Sequence, residues 1–160
     1  MDHLWTPWRY AYMEQAAGAA PPQCIFCDAL ARNNDPETLI VHRGKNSFII
    51  LNRFPYSSGH VMIVPNAHVA DLASCGSPTL DEMMQLSQSV EKAFHSLYKP
   101  DGINLGMNLG RAAGAGVAGH LHLHALPRWF GDSNFMSVVG ETRVHPEDLS
   151  TTYSRLKSAL

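Results

Sequence analysis

A chain of 160 residues with 45% apolar content suffices for one domain around one buried core, and it contains no apolar run near the roughly 20 residues that cross a bilayer. Only 16% of residues are charged and the formal balance is −2, which excludes a general basic field for nucleic acid; an anionic ligand has to be held locally, by backbone amides, histidines and a few arginines. Three cysteines do not make a disulfide framework, and the polar, aromatic N-terminus is no secretory leader, so a cytoplasmic location is expected.

Residues 1–23 form an aromatic arm with Trp5, Trp8, Tyr10 and Tyr12, closed by Pro21 and Pro22. Such an arm docks onto the domain or a partner subunit, or simply fills the core as an extension. A single domain is expected over 24–160. Cys24 and Cys27 precede a short helix over Asp28–Arg32. Leu39–Val41 and Phe48–Leu51 read as strands around the turn Arg43–Asn46, and Val61–Val64 as a third strand stopped by Pro65. Between them lies a loop, Asn52–Gly59.

From Pro78 to Tyr98 the period becomes helical. Leu80, Met83, Leu86, Val90, Phe94 and Leu97 share a stripe, and Thr79 with Glu82 fits a capping box. Ile103, Leu105, Met107 and Leu109 then alternate as a strand, and a last helix is expected over 146–160. The order predicts an α+β fold: an antiparallel sheet with one long helix and a C-terminal helix.

In Gly119–Trp129, His120, His122 and His124 alternate with Leu121, Leu123 and Ala125 before Pro127. As a strand this places the three imidazoles on one face, neighbours about 6–7 Å apart. A core strand gains nothing from such a row, so it asks for a chemical reason. Two are open at this point. Imidazoles at i and i+2 can share a zinc ion. Alternatively, a neutral imidazole is a nucleophile near pH 7, provided its other ring nitrogen is held and donors meet the phosphate oxygens. The glycine-rich Gly110–Val117 offers backbone N–H groups to an anion, Gly114, Gly116 and Val117 among them.

His120-Leu121-His122-Leu123-His124-Ala125-Leu126 resembles the signature of the histidine-triad (HIT) nucleotide hydrolases and transferases. Leu51–Pro55 with Gly59–Pro65 looks like that family's nucleoside-pocket strand pair. Trp5–Arg9, Trp129 and Phe135–Arg143 resemble its bacterial branch acting on diadenosine polyphosphates, phosphorylases included. The resemblance implies a HIT-like fold and a homodimer paired through the long helix and an edge strand. It implies that His122 attacks the α-phosphorus to give a nucleotidyl-histidine and that His124 contacts the phosphate and assists the leaving group. It implies that Asn52 faces the ribose, Asn108 the phosphate chain and His60 the pocket near the nucleotide. Four positions before His120, where many of the hydrolases carry glutamine, stands Gly116. That leans the expected reaction from hydrolysis toward phosphorolysis. A plain hydrolase of dinucleoside polyphosphates or phosphoramidates, and a nucleotide-binding module without turnover, are the alternatives.

Cys24-x-x-Cys27 is half of a zinc site, a redox pair or two packed thiols. His68, beyond Pro65, and His120 are the candidate partners, and the resemblance implies the same four ligands for a structural zinc. No organic cofactor is expected. Trp129 and Phe130 stack on a base, form a dimer contact or pack in the core; Arg128 meets a phosphate or a carboxylate. Cys75 reads as a plain thiol.

Overall fold

Two runs of β-branched and aromatic residues separated by Gly44-Lys45-Asn46 fold back on each other, and the amide of Gly44 donating to the carbonyl of Ser47 at 2.8 Å closes the turn. The computed structural model describes residues 24–133 and 146–160, with Ser137 and Val139 between them. The aromatic arm and nearly all of the 135–143 stretch lie outside the described residues. Helix α1 (Ile25–Ala31) and the short α2 (Asp35–Thr38) lead into β1 (Ile40–Arg43), β2 (Ser47–Leu51) and β3 (Val61–Pro65). Helix α3 (Ser77–Tyr98), β4 (Gly102–Met107), β5 (Leu123–Arg128) and α4 (Leu149–Ala159) follow. The five strands form one antiparallel sheet in the order β1-β2-β3-β5-β4. The α+β architecture expected from the periodicities is therefore the observed one.

Strand alternation divides the core between the two faces. Val41, Ile49, Leu51, Val61, Ile63, Leu123 and Ala125 pack against Met83, Leu86, Val90 and Phe94 of α3 and Leu156 of α4. Ile50, Met62 and Val64 face the other way, onto Phe26 and Ala29 of α1. The capping box is not formed. Thr79 lies within the helix, Gly76 is its N-cap, and the Glu82 carboxylate instead accepts the amides of Lys45 and Asn46, tying α3 to the β1–β2 turn. The helix over the cysteines also begins earlier than expected, with Cys24 at its N-cap.

The histidine strand starts later and ends later than its sequence suggests. β3 and β5 pair through Ile63↔Leu123, and continuing that register brings Leu121 opposite Pro65, which has no N–H for the ladder. The chain leaves β3 there, and the Leu121 amide donates to Val69 O at 2.6 Å. His120 and His122 therefore lie in the lead-in, and His124 alone is within β5. At the other end Pro127 sits inside the strand, paired with Ile103 of β4. β5 has by then passed its last β3 partner, Val61 opposite Ala125, and the Pro127 carbonyl on that side accepts the Ser57 hydroxyl at 3.1 Å.

Candidate active site and metal centre

The reactive face is built by chain reversal at Pro65 and by α1. His122 is 5% exposed, and its Nδ1–H donates to the His120 carbonyl at 2.8 Å. A carbonyl only accepts, so the proton sits on Nδ1 and the lone pair is left on Nε2. The other ring nitrogen is thus held as a nucleophilic imidazole requires. The His122 and His124 rings lie 4.9 Å apart, and Phe26 of α1 touches His122 at 5.2 Å and His120 at 5.3 Å.

A second relay sets the tautomer of His124. The Tyr56 amide donates to Nδ1 of His60 at 3.1 Å, so His60 carries its proton on Nε2. That Nε2–H donates to Nδ1 of His124 at 2.9 Å, which leaves His124 presenting Nε2–H as a donor. Asn52 supports the relay: its Oδ1 accepts the Phe54 amide at 3.0 Å and its Nδ2 lies 3.4 Å from His60 Nδ1. His60 itself is 1% exposed, so it acts through His124 rather than facing a nucleotide. Gly59 enables this. Its φ is +83°, and a Cβ there would come within 3.1 Å of the Tyr98 ring and 3.2 Å of Pro127.

Burial lowers the pKa of His122; for His124, burial with neighbouring His122 brings it down to about 4. An imidazole depressed on folding stabilises the fold while neutral. Its contribution is complete above the unfolded value of about 6.5 and is lost as pH falls through the folded value. The melting temperature is therefore expected to be level between about pH 7 and 8 and to fall between about pH 6.5 and 4. A His124→Asn protein should show a shallower acid slope in differential scanning calorimetry.

The substrate-side residues divide. Gly106 of β4 pairs with His124, and a Cβ built on it meets nothing within 4 Å, so the sheet beside the histidines is open. The pairing ends at Met107↔Leu123, and continuing it by one residue would bring Asn108 opposite His122. The glycine loop presents fewer amides than its composition suggests. It forms a 3-10 turn over Arg111–Ala113, with Ala113 and Ala115 donating to Gly110 O and Gly114 to Arg111 O. Gly114 is thereby spent on the turn. Arg128 is also committed: its guanidinium takes both carboxylate oxygens of Asp132 at 2.6 and 3.0 Å and Asn104 Oδ1 at 2.7 Å. It meets a carboxylate of its own chain, about 13 Å along the strand from His124. Trp129 is half-buried, its ring meets Tyr98 edge-to-face at 6.3 Å between centroids, and its Nε1–H donates to the Tyr98 carbonyl at 3.3 Å. Sequence reasoning missed Phe26 and Tyr56, whose only signal was an aromatic beside a reactive residue.

The first imidazole belongs to a different centre. Nδ1 of His120 lies 3.3 Å from Cys24 Sγ and 3.6 Å from Cys27 Sγ, and Cys27 Sγ lies 3.3 Å from Nδ1 of His68. All four donor atoms fall within 4.8 Å of one another. Tetrahedral zinc, about 2.3 Å from sulfur and about 2.0–2.1 Å from nitrogen, sets sulfur–nitrogen edges of about 3.5 Å. The donor set fits. His120 also donates Nε2–H to Pro65 O at 2.9 Å, which turns the Nδ1 lone pair toward the sulfurs, the usual outer support of a metal-bound imidazole. Burial, with the adjacent Cys24 adding, pushes the Cys27 thiol up, and a dication would reverse that. Among the described residues, His122 and His124 are not part of this cluster, so one metal shared by all three histidines is not what forms.

Residues 33–131 match the HIT domain family. The chain is 36% identical over 158 residues to an AP-4-A phosphorylase of Mycobacterium tuberculosis, covering 95% of this chain and 80% of that protein. It superposes on a Zn-bound histidine triad family protein from Mycobacterium smegmatis with TM-score 0.62 and 26% identity, over 93% of this chain and 91% of the other. A hypothetical histidine triad nucleotide-binding protein from Sulfolobus tokodaii gives TM-score 0.66 at 26% identity, over 85% and 91%. With sheet order, histidine run and relatives in agreement, the chain belongs to the HIT domain family and is a nucleotide-processing enzyme.

Proposed function

We propose that this enzyme cleaves dinucleoside polyphosphates such as diadenosine tetraphosphate through a nucleotidyl-histidine at His122, with inorganic phosphate as the preferred second acceptor. The observation that carries the reading is the hydrogen bond from His122 Nδ1–H to the His120 carbonyl, which leaves Nε2 free to attack. In the first step the Nε2–Pα bond forms and the bond from Pα to the bridging oxygen breaks, releasing ATP from a tetraphosphate. In the second, a phosphate oxygen attacks Pα and ADP leaves. Water in its place would give AMP. Phosphate oxygens are met by His124 Nε2–H, Asn108 and the amides of Gly116 and Val117.

The state of His124 bears on the leaving group. An imidazole with a pKa near 4 is neutral at pH 7 and gives a hydrogen bond, not a proton. A departing polyphosphate, with a terminal pKa of about 6, needs only the hydrogen bond, whereas a phosphoramidate amine needs the proton. Polyphosphates are therefore favoured as substrates. Gly116 and the mycobacterial phosphorylase relative both support phosphate as acceptor.

Cys24, Cys27, His68 and His120 would hold a structural zinc that pins α1 to the histidine segment. The reaction needs no organic cofactor. β4 pairs only with β5 among the described strands, and Leu105 on it is 48% exposed, which suits a homodimer joined along that edge and the long helix. Among the described residues no helix is long and apolar enough to cross a membrane. Thiolate ligands suit the reducing cytoplasm. The decisive assay incubates diadenosine tetraphosphate with the protein, with and without phosphate, and separates products by chromatography. ADP is expected only with phosphate, and ADP yield indifferent to phosphate would sink phosphorolysis.

A further inference from the structure

His120 stands in both centres at once. Its Nδ1 faces the two sulfurs, its Nε2–H is fixed on Pro65 O, and its backbone carbonyl holds Nδ1–H of His122. The peptide that sets the nucleophile's tautomer is therefore carried by a metal ligand. Phe26 makes a second link. It lies between Cys24 and Cys27 in sequence, and its ring contacts both His120 and His122. The cysteine pair can also be reached from outside: Cys24 and Cys27 are partly buried, and His68 beside Cys27 is exposed. Their sulfurs already share one cluster, so joining them needs side-chain rotation at the start of α1 rather than refolding.

We propose that Cys24 and Cys27 form a peroxide-sensitive switch, in which oxidation to a disulfide expels the metal and, through His120 and Phe26, misplaces His122. The inference rests on the metal and nucleophile assignments above. In the step itself each thiolate gives up one electron and the S–S bond forms. The O–O bond of hydrogen peroxide breaks, taking the two electrons to give two hydroxide ions, which become water on protonation. Zinc leaves as the hydrated dication. A dithiol such as dithiothreitol reverses the exchange through a mixed disulfide. His120 is here a positioning residue, and its disturbance lowers the rate of phosphorus attack without removing a contact to substrate.

The test uses the zinc-loaded full chain carrying Cys75→Ala, so that every thiol counted belongs to the pair or to none. Hydrogen peroxide is titrated in while zinc release is read with a chromogenic chelator, thiols with a disulfide reagent, and kcat and KM on diadenosine tetraphosphate. Zinc release, loss of both thiols and a fall in kcat of about 10- to 100-fold are expected to run together, with KM little changed. Dithiothreitol with zinc is expected to restore kcat. A Cys27→His protein keeps four ligands but cannot form the disulfide, so peroxide should leave its kcat at its own untreated level. The proposal is overturned if kcat falls equally in Cys27→His, or if zinc and thiols are lost while kcat holds. A chain that binds no zinc removes the metal assignment and the switch together, with the cleavage reading untouched. A zinc-loaded chain that releases its metal on oxidation but never cleaves the dinucleotide sinks the cleavage reading and the link to His122.

Discussion

Replacing His122 by asparagine is expected to lower kcat on diadenosine tetraphosphate by about 10⁴-fold or more, with the melting temperature nearly unchanged. On the proposed reading the loss is large because the group removed is the one that would form the bond to phosphorus, and a catalytic unit stripped of its nucleophile keeps only binding and electrostatic stabilisation. Asparagine can still donate toward the His120 carbonyl in place of Nδ1–H, so the fold should persist. Neither neighbouring imidazole can step in. His124 has Nδ1 occupied by His60 Nε2–H and offers a proton at Nε2, and His120 has Nε2 fixed on Pro65 O. Stopped-flow quenching with nucleotide labelled at the α-phosphate should trap label on the wild-type chain and none on His122→Asn. Equal labelling of both proteins would end the His122 assignment. Nucleotide affinity is expected to survive the substitution, because the donors proposed to meet the phosphate oxygens are untouched.

What was legible in the chain was whatever local spacing decides. Alternation in 120–125 announced a shared face, the 3.6-residue stripe from Leu80 to Leu97 announced α3, and Cys24-x-x-Cys27 announced a metal half-site. Illegible were the choices made by residues that meet only after folding. The start of β5 is set by Pro65 across the sheet, which no window around His120 contains. Glu82 fits a capping box by sequence, but the two amides of the β1–β2 turn are better donors for its carboxylate than the helix start. Arg128 had the right chemistry for a phosphate and was claimed first by Asp132 and Asn104, as the Trp129 Nε1–H was by the Tyr98 carbonyl. The His60–His124 bond spans 64 positions, so neither residue alone shows that one serves the other.

These non-local choices give the site its rigidity. His122 and His124, the two imidazoles proposed to flank the phosphorus, each have one nitrogen fixed by the protein and one left for chemistry, and in both it is Nδ1 that is fixed, in opposite roles. His122 is tethered at Nδ1 as a donor, and His124 at Nδ1 as an acceptor. The result is a lone pair beside a proton donor on rings 4.9 Å apart, set without any titration at neutral pH. The preorganisation depends on two backbone features, the His120 carbonyl and the Tyr56 amide, and both lie outside the regular strands.

Stripping the metal should therefore cost more than one local contact. A zinc ion held by the folded arrangement of Cys24, Cys27, His68 and His120 would find no such arrangement in the unfolded chain and would stabilise the fold by mass action. At free zinc about 1,000 times the dissociation constant the gain is about 4 kcal/mol. For a chain of this size about 2–4 °C accompanies each kcal/mol, so a chelator should lower the melting temperature by about 8–16 °C. The two sides of the site should respond differently. α1 holds Phe26 on Ile50, Met62 and Val64, and that packing loosens when Cys24 and Cys27 lose their common partner. The cluster under α3 and α4 has no metal ligand and should stay protected. Hydrogen exchange of the apo protein should thus show faster exchange in α1 and around Leu121, with α3 unchanged. A melting temperature indifferent to chelator and to added zinc would mean that the four residues hold no structural ion.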